Sequence, residues 1–242
     1  MKSNIDNKLI GNRKIVIELR FLPHFGIIDK RGEILDSLLK LDAFKNMYGN
    51  MNASRILVGN DLEEQKCTTT FAVYHNRISY ISSKIDSVDS FFSLFEQSYK
   101  SVLDITGSLE IGRIGCRTLG TYYVKGTNDF NRILRSFVNA FPTNIFFNDF
   151  STRDLCLHIV HDKGMYRIGP VNKEDGFIMG EFQEENNVKH VGIAIDADNY
   201  INNSLHEIND PKLIKEVYMY ALSVEKNLYD RVSTLVINDE KK

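Results

Sequence analysis

The sequence predicts an α+β fold in which a mostly antiparallel sheet carries helices packed on one face. Short runs of alternating apolar and polar residues are joined by turns of roughly two to eight residues, too short for the crossovers that parallel strands need. Longer runs repeat their apolar residues every three to four positions, as helices do. The same order of elements occurs twice, which predicts duplicated β-α-β-β-β-α units.

The first predicted half covers residues 14–107. Ile15, Ile17 and Leu19 alternate with other residues, which is typical of a strand with one buried face. Asp86 or Ser87 is placed to cap the second helix of this half, and Gly107 follows its end. The predicted elements are a strand at Lys14–Leu22, a helix at Glu33–Tyr48, strands at Arg55–Gly59, Lys66–His75 and Arg77–Ser83, and a helix at Val88–Leu103.

The second predicted half covers residues 108–237 and closes with a long helix that begins at Pro211, where the missing N–H costs nothing. Residues 1–13 are predicted to form a flexible N-terminus and residues 238–242 a polar tail. The predicted elements are a strand at Glu110–Val124, a helix at Asp129–Phe141, strands at Asn144–Asn148, Arg153–Asp162, Met165–Gly169, Phe177–Gln183 and Val188–Asp198, and a helix at Pro211–Val236.

The composition argues against several classes of protein. Lys and Arg number 30 against 32 Asp and Glu, so nucleic-acid binding would need a local basic patch. The three cysteines form no metal-binding motif and no phosphate loop is present, so no cofactor is expected. No apolar run reaches the length of a signal peptide core or a membrane span, and we expect a cytoplasmic protein without membrane contact.

Two pairs of charged residues are candidate sites. Arg113 and Arg117 are four apart on a strand and project from one face, where paired guanidinium groups could hold a phosphate or carboxylate. Ion pairing with neighbouring strands is the alternative. Asp196 and Asp198 also share a face and could bind a divalent metal, unless they are simply the solvated end of a strand. His190 shares their face but is about 20 Å along the strand from Asp196.

An aromatic pair beside a lysine is a candidate nucleic-acid contact. Tyr122 and Tyr123 next to Lys125 could stack on bases, although aromatic residues at a strand end are commonly packed in a core or at its rim.

Several segments resemble an uncharacterised, sporadically distributed bacterial family of about this length. The resemblance lies in residues 80–87, in the following aromatic-rich helix, and in residues 111–117 (Ile-Gly-Arg-Ile-Gly-Cys-Arg). That last segment matches the start of the family's Arg-x-Gly-x-Arg-Tyr-x-Asn motif, but Thr118 and Gly120 replace the family's Tyr and Asn. The strand ending Asp-x-Asp before the final helix is also similar. The family has no established activity, and its distribution is typical of mobile accessory or defence-related genes.

Three functions are consistent with these patterns. A well-patterned core without a convergent catalytic set favours a non-enzymatic interaction module, binding a protein partner or a second copy through its polar sheet face or aromatic-rich helices. The second is a metal-dependent enzyme on phosphate-containing substrates, with Asp196 and Asp198 holding metal and Arg113 and Arg117 holding phosphate. The third is nucleic-acid binding by a basic, concave sheet.

Overall fold

The computed structural model describes residues 5–61, 67–140, 155–173, 190–202 and 211–238. The strands are β1 (Ile10–Phe21), β2 (Tyr48–Met51), β3 (Arg55–Gly59), β4 (Thr69–Tyr74), β5 (Arg77–Ser82), β6 (Ile111–Tyr122), β7 (Leu157–His161), β8 (Gly164–Val171) and β9 (Gly192–Asn202). The helices are α1 (Gly26–Asp29), α2 (Arg31–Leu39), α3 (Val88–Thr106), α4 (Phe130–Ala140) and α5 (Pro211–Asn238).

The nine described strands form one sheet in the order β2-β3-β4-β5-β1-β6-β9-β8-β7. Strands β2 to β5 pair antiparallel in succession, β5 pairs antiparallel with β1, and β7 with β8. The two-residue turn at His75 and Asn76 explains the tight connection of β4 to β5. The predicted α+β class and large antiparallel sheet are confirmed, while duplication of a β-α-β-β-β-α unit stays a prediction.

The chain forms two compact units that do not coincide with the predicted halves 14–107 and 108–237. The long elements β1, β6, β9 and α5 each contribute residues to both units. The order of elements along the chain therefore does not show where one unit ends and the other begins. The first unit contains Lys14–Arg117 and Asn199–Met219, and the second contains Met1–Arg13, Thr118–Asp198 and Tyr220–Lys242.

The predicted helix at Glu33–Tyr48 is too long. Helix α2 ends at Leu39, and the chain continues through three-residue turns in which Leu41 N donates to Leu38 O and Phe44 N to Leu41 O. Apolar residues three apart fit such turns as well as they fit a helix, which explains the error. Tyr48 then lies in β2, opposite Gly59 of β3.

Two other boundaries are corrected. Residues 10–13 are part of β1, not of a flexible terminus, and Leu9 O accepts a hydrogen bond from Tyr123 N. Strand β9 continues four residues beyond the predicted end at Asp198, to Asn202, and includes the fully buried Asn199. The predicted strands at Asn144–Asn148 and Phe177–Gln183 lie outside the described residues.

Helix boundaries elsewhere agree with their local signals. The Ser87 hydroxyl accepts from Ser90 N at the start of α3, and Gly107 ends that helix with a positive φ of 81°. Pro211 is the first residue of α5. Among the described residues, no helix is both long enough and apolar enough to cross a membrane.

The core of the first unit contains a series of contacting aromatic rings. Tyr80 of β5 stacks on Phe91 of α3 with their centroids 4.6 Å apart, and Phe91 in turn contacts Tyr218 of α5 at 5.9 Å. Such pairs contribute about 0.5–1.5 kcal/mol each beyond the burial of their apolar area. The aromatic-rich spacing of α3 therefore serves the core of this unit.

Candidate anion-binding site

A row of directly opposed residues crosses four strands of the first unit. Arg20 of β1 is opposite Arg77 of β5, Arg77 is opposite Tyr74 of β4, and Tyr74 is opposite Arg55 of β3. Directly opposed residues project from the same face of a sheet. These four residues, which we call the arginine row, therefore bring three guanidinium groups onto one face.

The arginine row is held by one carboxylate and one aromatic ring. Arg20 Nε donates to a Glu18 carboxylate oxygen at 2.6 Å, and the other oxygen of Glu18 lies 3.5 Å from an Arg77 nitrogen. The Arg77 guanidinium sits over the Tyr74 ring, 4.3 Å from its centroid. Because like charges that face each other across strands are destabilising, Glu18 and Tyr74 offset part of the repulsion between Arg20 and Arg77.

A shallow depression of about 10 Å³ is lined in part by Arg55, but its other strand residues, Ile56 and Val73, project from the face opposite to the arginine row. Its lining contains two arginines and one histidine and no acidic residue. The lining residues are Ile27, Ile28, Arg31, Asn52, Ala53, Ser54, Arg55, Ile56, Val73 and His75.

Local hydrogen bonds fix the walls of the depression. The Asn52 side-chain oxygen accepts from Ser54 N at 2.9 Å and from Arg55 N at 3.0 Å, which closes the turn between β2 and β3. On the other side, Arg31 donates to the carbonyl of Ile28 at 3.0 Å. The backbone at Arg55 and the side chain of Arg31 are therefore positioned before any ligand binds.

The predicted anion-binding residues lie on β6, away from the lining of this depression. The Arg113 guanidinium lies 4.5 Å from the centroid of the Tyr200 ring, and Arg117 is half-buried. Sequence reasoning placed Arg20 on the polar face of the sheet but missed Arg55 and Arg77, each of which is the first residue of its strand. The only sequence signal for this alignment is the alternation of side chains along each strand. No local pattern shows that residues 20, 77 and 55 lie in one row across the sheet.

The predicted metal-binding pair contains one carboxylate that a cation already holds. Arg167 of β8 donates to Asp196 through two of its nitrogens, with Nε 2.7 Å from the carboxylate oxygen. Asp196 is buried and Asp198 is half-buried. Within the described residues, no three His, Cys, Asp or Glu side chains are grouped so that they could hold a metal ion.

The predicted nucleic-acid contact is divided between the core and the surface. Tyr122 is fully buried and donates to Glu225, so it cannot stack on a base. Burial, followed by the Glu225 carboxylate, raises the pKa of Tyr122 well above its ordinary value. Tyr123 and Lys125 are exposed, and the Tyr123 ring lies 4.2 Å from that of His190.

His190 is a buried histidine rather than an extension of the aspartate pair. It is packed against Tyr123, and its Nε2 atom has no hydrogen-bond partner within the described residues. Desolvation by this burial lowers the pKa of His190 below its ordinary value. His190 of the folded protein therefore takes up its proton at a lower pH than the unfolded chain does, which takes it up near pH 6.5.

We expect His190 to make the protein less stable as the pH falls below about 6.5. Only the unfolded state gains a proton there, so the free energy of unfolding decreases by up to about 1.4 kcal/mol per pH unit until the folded pKa is reached. Urea unfolding at pH 7.5 and 5.5 measures this, with His190→Gln as the comparison. Equal losses of stability in both proteins would contradict the expectation.

Comparison with known proteins suggests no function for this chain, so the proposed function is argued from the site. No protein-family model matches the chain, and no curated protein matches it significantly.

Proposed function

We propose that the protein is a non-enzymatic interaction module that binds an acidic segment of a protein partner through the arginine row. The observation that carries this proposal is the register that aligns Arg20, Arg77 and Arg55 on one face. A guanidinium group presents two parallel N–H donors that match a carboxylate, and such ionic pairs are about twice as strong as neutral hydrogen bonds.

The packing of α3 supports an accessible row. Tyr80, which contacts Phe91 of α3, is separated by an odd number of positions from Arg77, so the two side chains project from opposite faces of β5. We infer that the helices of this unit cover the Tyr80 face and that the arginine-row face is the one offered to a partner. Arg20 is exposed and Arg77 partly so, which agrees with this inference.

Carboxylates suit this site better than nucleotides do. Single-stranded nucleic acids bind on open aromatic faces, whereas a guanidinium lies over the ring of Tyr74. The whole chain has a net charge of −2, which weakens long-range attraction of a polyanion. These features favour a few aspartate or glutamate side chains as the bound groups.

The chemistry of the row favours binding over catalysis. Arginine does not release a proton in proteins and so cannot act as a general base. Glu18, the acidic residue at the row, is engaged by two guanidinium groups. These residues can recognise charge and shape, and we assign them no role in proton or group transfer.

Reversing two charges of the row is expected to abolish partner binding. In native mass spectrometry of protein purified gently from its host, wild type should carry a protein partner that the double variant Arg55→Glu/Arg77→Glu lacks. Each lost ionic hydrogen bond weakens binding by about 1.5–3 kcal/mol, which is more than tenfold. Arg135→Glu, an exposed arginine on α4, is the matched control and should retain the partner.

Model ligands distinguish the chemical class. An aspartate- and glutamate-rich peptide should bind wild type in fluorescence anisotropy, bind the double variant at least tenfold more weakly, and dissociate as salt rises from 0.1 to 1 M. Preference for a single-stranded oligonucleotide of equal charge would replace the proposal with nucleic-acid binding. Equal peptide binding by wild type and double variant would exclude the arginine row as the site.

A further inference from the structure

The Glu18 carboxylate lies between two guanidinium groups of the arginine row. Glu18 and Arg20 are two positions apart on β1, so their side chains project from the same face. Glu18 is opposite Ser79 of β5, whose short side chain leaves room for the carboxylate to turn toward Arg77, the diagonal neighbour. One carboxylate oxygen is 2.6 Å from Arg20 Nε and the other is 3.5 Å from an Arg77 nitrogen. A single carboxylate therefore bridges the two arginines.

We propose that Glu18 is an internal competitor for the arginine row. Its carboxylate occupies the position between Arg20 and Arg77 that a carboxylate of the acidic partner segment takes on binding, an inference that rests on the proposed function. Glu18 carries the same chemical group as the aspartate and glutamate side chains of that segment. It therefore lowers the affinity of the row for its partner.

The bridge can be exchanged without unfolding the protein. The side chains of Glu18, Arg20 and Arg77 are 23%, 53% and 39% exposed. Exposed ion pairs contribute little to stability, because water and salt screen them and two long side chains must be ordered. The 3.5 Å contact with Arg77 is also longer than the distance of about 2.7–2.9 Å that is typical of an ionic hydrogen bond. A partner carboxylate therefore displaces Glu18 at little cost to the fold.

The two arginines retain donors for a partner while Glu18 is in place. A guanidinium group carries about five N–H donors. Within the described residues, the Arg20 guanidinium donates to Glu18 through Nε, and the Arg77 guanidinium contacts Glu18 and the Tyr74 ring. The remaining donors are sufficient for an acidic segment to bind, so we expect Glu18 to weaken binding without abolishing it.

Glu18→Gln tests the charge of the competitor. Glutamine keeps an oxygen that accepts from Arg20 but carries no charge that attracts both arginines. In fluorescence anisotropy with the aspartate- and glutamate-rich peptide at about 0.1 M salt, this variant should bind about fivefold more tightly than wild type. At about 1 M salt the difference should disappear, because the Debye length falls to about 3 Å. Asp36→Asn, which removes an exposed carboxylate from α2 of the same unit, is the matched control and should bind as wild type does.

Glu18→Asp tests the position of the competitor. Aspartate keeps the charge, but its shorter side chain withdraws the carboxylate from Arg77. The affinity for the peptide should therefore rise above that of wild type and stay below that of Glu18→Gln. Far-UV circular dichroism should be unchanged in both variants, since the pair that they alter is partly exposed.

Failure of this inference is distinguishable from failure of the proposed function. If wild type binds the peptide and Glu18→Gln binds it equally or more weakly, the inference is overturned, because Glu18 then supports the row instead of competing for it. Equal affinities of Glu18→Asp and wild type, or an equal gain from Asp36→Asn, overturn it as well, since the effect is then one of charge alone. Absence of peptide binding in wild type and in every Glu18 variant refutes the proposed function itself, and the inference with it.

Discussion

Replacing Glu225 with alanine is expected to lower the free energy of unfolding by about 3–5 kcal/mol. Glu225 projects from α5 and is only 1% exposed. Its carboxylate accepts from two nitrogens of Arg13, with Arg13 Nε at 3.1 Å, and from the hydroxyl of Tyr122. The variant leaves the buried Arg13 without its counter-charge and Tyr122 without its acceptor.

The physical reason is an asymmetry in the energetics of buried pairs. An intact buried ion pair contributes little net stability, because the cost of removing both charges from water is close to the attraction between them. Removing one partner leaves the cost of the other uncompensated, and this accounts for the large loss. The long side chain of Arg13 does not let its guanidinium group return to water, since Arg13 is itself buried.

Urea denaturation at neutral pH measures the effect. Asp230→Ala is the matched control because Asp230 is an exposed carboxylate on the same helix, paired with Lys226 one turn away. Exposed pairs of this kind contribute about 0.3–0.5 kcal/mol. If Glu225→Ala costs no more than Asp230→Ala, then Glu225 does not hold Arg13 in the folded protein.

Replacing Gly192 with alanine is expected to cost about 3 kcal/mol, at the upper end for overpacking. A Cβ atom at this position would lie 2.0 Å from the carbonyl oxygen of Tyr122 and 2.9 Å from its carbonyl carbon. A backbone carbonyl cannot rotate aside as a side chain can, so the strands must separate locally. We expect this to disturb the burial of Tyr122 as well.

Gly32→Ala is the control that separates this clash from a general effect of losing glycine. Gly32 lies in α2, and no atom is within 4 Å of the position its Cβ would take. Alanine should therefore stabilise the protein by about 0.5–1 kcal/mol, because it restricts the unfolded chain and favours helix. Thermal denaturation of both variants should show shifts of opposite sign. A Gly192→Ala protein as stable as wild type would exclude the close approach.

Local patterns in the chain were sufficient to predict most individual elements. Alternation located β1 and β5, apolar spacing located α3 and α4, and Ser87, Gly107 and Pro211 marked helix ends correctly. These signals are readable because they depend on neighbours within a turn or two of chain. They failed where two structures share one spacing, as at residues 40–48, and where a strand continues past its apolar run, as β9 does at Asn199.

The candidate sites depended on contacts between distant parts of the chain. Arg113 and Arg117 attracted notice because they are close in sequence, whereas Arg20, Arg55 and Arg77 are brought together only by the registers of three strand pairs. A change of one residue in any register would move an arginine to the other face. Such alignment is not encoded in any short segment.

By itself, the sequence determined the α+β class, the large antiparallel sheet and the limits of its best-patterned helices, because hydrophobic periodicity is a local property. The packed structure determined which polar residues are buried and which are exposed. Tyr122 and Glu225 are 103 positions apart, and Arg13 and Glu225 are 212 apart, yet they share one buried cluster. Burial and strand register are properties of the whole fold, since each depends on what the rest of the chain places opposite.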